Sequence, residues 1–67
     1  MSTAERLVLA RGEESRQSVC DAIGISRSAL QMYETGKRIP RDSIKIRLAR
    51  HYQTTVQDLF YPDSATF

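Results

Sequence analysis

Apolar residues recur along this chain three and four positions apart, as in helices, and no stretch alternates as a half-buried strand does. Ala4, Leu7 and Val8 give a first apolar face. Ser2-x-x-Glu5 at its start is a capping box, in which hydroxyl and carboxylate each take an amide hydrogen of the first turn. Gly12 closes that helix. Ser15 opens a second, Arg16 to about Ile23, with Val19, Cys20 and Ile23 inward. Gly24 breaks it by adopting a positive φ. Ser26 caps a third helix running to about Tyr33; Gly36 ends it, and Pro40 keeps the residue before it out of helical geometry.

A fourth helix starts at Arg41 or Asp42 and reaches Tyr52, with Ile44, Leu48, Ala49 and Tyr52 as its stripe. Lys45 falls near the middle of that stripe and is expected to run its stem out to water. Thr55 caps a short fifth helix through Phe60, with Asp58 as its box partner and Pro62 as its stop. The expectation is an all-α protein: a compact bundle of five short helices over residues 1–60, then a short tail, 61–67.

Size narrows the functional classes. A chain of 67 residues is one small domain, marginal unless tightly packed or joined to a second copy. No apolar run approaches the roughly 20 residues that cross a bilayer, and no leader is recognisable, so a cytoplasmic protein is expected. Cys20 stands alone, so an intrachain disulfide is excluded. One histidine, one cysteine and scattered carboxylates match no metal-ligand spacing, and the three glycines are isolated helix stops rather than a phosphate cradle. His51 and Cys20 fall on different helices with no third group to orient them. No enzyme, metal, cofactor or small-molecule ligand is expected.

The net charge is only +2, but it is unevenly spread. Residues 27–50 carry seven Lys or Arg against Glu34 and Asp42, a local +5, while residues 1–26 carry −1 and residues 51–67 carry −2. One contiguous segment therefore holds the positive excess, the pattern of an anion-binding face.

The third helix lies inside that segment. At about 100° per residue, Ala29, Leu30 and Tyr33 share one side, and Arg27, Ser28, Gln31 and Met32 share the other. The outward types suit base edges: arginine on guanine, glutamine on adenine, serine on either, methionine on a thymine methyl. The short Gly24-Ile25-Ser26 turn forces helices two and three to cross steeply, so that one can brace the backbone while the other enters the major groove.

The stretch "SRQSVCDAIGISRSALQMYETGKRIP" resembles the helix-turn-helix domain of the phage repressor and Cro type, the XRE family. The likeness rests on the Gly24-Ile25-Ser26 turn, the Tyr33-Glu34 pair, the Gly36-Lys37-Arg38-x-Pro40 loop and "TTVQDLF" at 54–60. It implies a sequence-specific double-stranded DNA-binding regulator of transcription. The simplest action is a repressor that occludes a promoter; the alternatives are the DNA-binding antidote of a toxin–antitoxin pair and a protein-interaction adaptor on the same fold. It implies base reading by Arg27, Ser28 and Met32, with Gln31 beside them, and phosphate contacts by Ser15, Arg16, Lys37 and Arg38; Arg41, in the same basic segment, is a further phosphate candidate.

The chain departs from the family pattern at several places, among them Cys20 for an alanine and Met32, less polar than most base readers. Glu14 stands where a leucine is usual and Arg16 where a glutamine is usual. Leu9 stands where an arginine would pair with Glu34, so Glu34 is expected to use Arg6, Arg11 or another partner. One short recognition helix reads few base pairs, so a homodimer on a palindromic site is expected. Ile46, Tyr61 and Phe67 are its candidate interface, because the helix assignment leaves them without a core.

Overall fold

The computed structural model describes residues 2–61, which form five helices: α1 Thr3–Arg11, α2 Arg16–Ile23, α3 Arg27–Glu34, α4 Asp42–His51 and α5 Val56–Phe60. Four starts are set by the local chemistry expected of them. The Ser2, Ser15, Ser26 and Thr55 hydroxyls each accept the amide three residues on. At Ser2 the reciprocal bond is also made, Ser2 N–H donating to the Glu5 carboxylate at 3.3 Å. α4 is the exception: Arg41 occupies the cap without a side-chain bond, and the helix begins with Asp42. α3 extends one residue beyond Tyr33; the Thr35 hydroxyl then closes on the Gln31 carbonyl at 2.9 Å.

α3 packs between α1 and α2, α2 also meets α4, and α5 closes the bundle against α1 and α4. Leu7, Val19, Leu30 and Leu48 are fully buried, one from each of the first four helices. Cys20, Ile23, Tyr33, Ile44, Ala49, Leu59 and Phe60 complete the core around them. No strand occurs among the described residues.

Two expectations about side chains are corrected. Val8, expected inward, is 40% exposed. α1 is only nine residues long, and its inward row is Ala4, Leu7 and Arg11, which leaves Val8 at the margin. Lys45, expected to reach water, is 8% exposed. Its ammonium donates to the Tyr61 hydroxyl and lies 5.6 Å from the Phe60 ring centroid and 4.8 Å from that of Tyr61. The end of α5 closes over the lysine, a contact across sixteen residues that helix periodicity does not encode. Pro62 and Phe67 lie outside the described residues.

Tyr52 caps α4, and its hydroxyl is buried without a hydrogen-bond partner among the described residues. Burial pushes its phenol up from 10.0 to about 12. The unfolded chain therefore loses this proton before the folded one, and stability falls as pH rises through that window. Tyr52→Phe removes both the unsatisfied hydroxyl and that dependence. It is expected to raise stability by about 1 kcal/mol in urea melts at neutral pH. A variant less stable than its parent would show that the hydroxyl is satisfied in solution.

Candidate nucleic-acid interface

Gly24 ends α2 in the left-handed region, φ 76°, a conformation that costs glycine nothing. The Gly24 and Ile25 amides both close on the Cys20 carbonyl, at 2.8 and 3.2 Å. Ile25 packs against the core, and Ser26 starts α3 at once. The turn is thus pinned on the α2 side by backbone bonds and on the α3 side by a cap. It fixes where α3 begins and which of its faces is free.

On that free face Arg27, Ser28 and Gln31 are exposed and Met32 is half-buried. Leu30, Tyr33 and Glu34 face inward. The angular split expected from the sequence is therefore present, with Met32 at its edge. The following loop folds back onto α3: the Met32 carbonyl accepts from the Lys37 amide at 3.0 Å and the Arg38 amide at 3.3 Å. Pro40 is buried beneath the loop, while Lys37, Arg38 and Arg41 stay exposed. The row on α3 and this cationic loop are consecutive in the chain and joined by those two bonds.

The start of α2 joins its expected cap to a contact that spacing does not predict. The Ser15 hydroxyl accepts the Ser18 amide at 3.0 Å, and Arg16 reaches inward, its Nε donating to Glu34 Oε1 at 2.8 Å. Arg11 holds the other oxygen of the same carboxylate, Nε to Oε2 at 2.8 Å, and donates through Nη1 to the Glu14 carbonyl at 2.9 Å. The Glu34 side chain is fully buried. The carboxylate raises the pKa of Arg11 further above its ordinary value. Three helices and one loop are knotted at one carboxylate. The partner of Glu34 is Arg11, one of the candidates, joined by Arg16, a phosphate candidate. The signal for Arg11 was its place four residues after Leu7, on the inward row of α1.

His51 bonds Glu14 through Nε2 at 2.8 Å, so the glutamate at a position usually filled by leucine holds the end of α4. The Ser18 and His51 bonds keep the Glu14 carboxyl below the usual carboxylate range. Cys20 is buried, and burial pushes its thiol up, away from a reactive thiolate. Ile46 and Tyr61 are 45% and 44% exposed. Among the described residues there is no cluster of three His, Cys, Asp or Glu placed to hold a metal, and no helix long and apolar enough to cross a membrane.

A family model described as helix-turn-helix matches residues 15–59. Among solved structures, the chain is similar to the P22 c2 repressor protein, crystallised in complex with synthetic operator 9T in the presence of Tl+. That match has a TM-score of 0.85 at 22% identity, covers 94% of this chain and 98% of that one, and shows a shared fold. No curated protein matches the chain.

Proposed function

The chain belongs to the helix-turn-helix family, of the phage repressor or XRE type, and from that premise we propose that it is a sequence-specific double-stranded DNA-binding regulator of transcription. Its action would be that of a repressor, by occlusion of a promoter. One observation carries the reading. A pinned turn presents Arg27, Ser28 and Gln31 in one exposed row, directly against a loop whose Lys37, Arg38 and Arg41 are all exposed. Base-reading types beside phosphate-binding types are the two halves of a DNA contact. The solved protein that shares the fold is itself a repressor in complex with an operator.

In this reading Arg27, Ser28, Gln31 and Met32 meet base edges. Lys37, Arg38 and Arg41 meet phosphates, together with Ser15 and Arg16 at the start of α2. Arg16 keeps 36% of its side chain exposed while bound to Glu34, so the same residue can serve the fold and face an anion. The protein would act as a homodimer through Ile46 and Tyr61, with Phe67 the remaining candidate.

Selection of bound sites from random duplex DNA tests the function. The expected product is a palindrome with half-sites about 34 Å apart, one turn of duplex. An unrelated mixture of sequences would remove sequence-specific binding. Single half-sites holding one protein each would remove the dimer.

The loop gives a separate test. Lys37→Ala and Arg38→Ala are expected to weaken binding to all duplexes alike. Each should flatten the dependence of log K on log salt by about one. A loss confined to one sequence would make the loop a base reader instead.

A further inference from the structure

A groove of about 460 Å³ opens between the start of α1, the loop after α3, and the end of α5. It falls within the roughly 300–1,000 Å³ of small-molecule sites. Its walls are mostly apolar: Tyr33, Ile39, Pro40 and Phe60, with Tyr61 at one side. Ile39 is 77% exposed, the most exposed large hydrophobic side chain among the described residues. The Ser2, Thr3 and Thr35 hydroxyls also line it, and its one charged residue is Lys45, 8% exposed.

Lys45 is under-compensated for a buried cation. An ammonium has three donors. Among the described residues one goes to the Tyr61 hydroxyl, and the nearest carboxylate oxygen, on Asp42, is 4.0 Å away on a side chain 98% exposed to water. The Phe60 and Tyr61 rings attract the charge but accept no conventional hydrogen bond. A charge taken out of water is costly unless paired, and here the lysine lines a cavity with mostly apolar walls.

We propose that this groove binds an apolar monocarboxylate. The carboxylate meets the Lys45 ammonium, and the hydrocarbon body lies along Ile39, Pro40 and Phe60. Charge selects the head: an ammonium at the inner end rejects an amine and gains from an acid. The apolar lining selects the tail, because covering Ile39 removes its surface from water. Ile39 and Pro40 belong to the loop that carries Lys37 and Arg38, so an occupant touches the segment assigned above to DNA phosphates. The site itself does not depend on that assignment.

The test is an NMR titration of the full chain with octanoate, with octanol and octylamine as matched probes and no DNA present. Octanoate is expected to give saturable amide shifts centred on Thr35, Gly36, Ile39 and Tyr61. Its affinity should exceed that of octanol by at least about tenfold, and octylamine should be weaker still. Lys45→Met keeps the length of the side chain without its charge and is expected to bring octanoate down to the affinity of octanol. Ile39→Ser, at an exposed position that cannot unfold the core, should weaken octanoate and octanol together. Equal binding of octanoate and octanol, shifts centred outside the groove, or undiminished binding by Lys45→Met would each overturn the proposal. So would absence of saturation below about 10 mM. Because no DNA is present, failure here leaves the DNA-binding reading standing, and failure of the site selection leaves this one.

Discussion

Glu34→Ala is expected to lower the stability of the domain by about 3 kcal/mol in urea or thermal melts. The carboxylate is fully buried and shared by two guanidiniums, Arg11 and Arg16, each with an Nε–oxygen distance of 2.8 Å. Removing one partner of a buried ion pair costs about 3–5 kcal/mol, mainly because the remaining charge is left unpaired in a poor solvent. Arg11 dominates that cost, since 17% of its side chain is exposed against 36% for Arg16. Arg16 can turn to water, which places the expected loss at the lower end of the range. For a 67-residue domain, such a loss is a large part of a total near the bottom of the usual range of about 5–15 kcal/mol. Arg11→Gln should therefore cost more than Arg16→Gln. A Glu34→Ala loss below about 1 kcal/mol would mean that the pair behaves as a surface one and does not knot α1, α2 and α3 together.

That network also shows where the sequence is legible. The helix starts at Ser2, Ser15, Ser26 and Thr55 depend on a hydroxyl and an amide three residues away, so they can be read locally. The same holds for the Gly24 stop and for the division of α3 into an inward Leu30–Tyr33 side and an outward Arg27–Gln31 side. Helix periodicity settles each within one or two turns. Arg16 could not be placed this way. Its position at the start of α2 suits a phosphate, but the inward pull comes from Glu34, eighteen residues later and on another helix. The position of Lys45 is set by Tyr61, and the role of Glu14 by His51, thirty-seven residues away. Long-range partners decide where a charged side chain goes, and a charged residue on an inward stripe is the local sign that such a partner exists.

Arg27→Ala is the substitution expected to change recognition most. Arg27 is the first residue of α3 and exposed, directly after the cap Ser26. A guanidinium there can donate two parallel hydrogen bonds to guanine O6 and N7, an arrangement that no other side chain on this face can copy. Its removal should cost about 1–3 kcal/mol on the selected site and relax preference at one base pair, leaving the others as they were. This is the opposite signature to that of Lys37 or Arg38, whose loss should weaken every duplex alike. Folding should be untouched, because no bond of the core or of the Glu34 network uses the Arg27 side chain. Stability measured beside affinity therefore separates recognition from unfolding. Gln31, four residues on and one turn along the same exposed row, should behave likewise at a neighbouring base pair. Binding measured across all single-base variants of the site decides the matter. A triple variant at Arg27, Ser28 and Gln31 that keeps the full base preference of its parent would take α3 out of the recognition role.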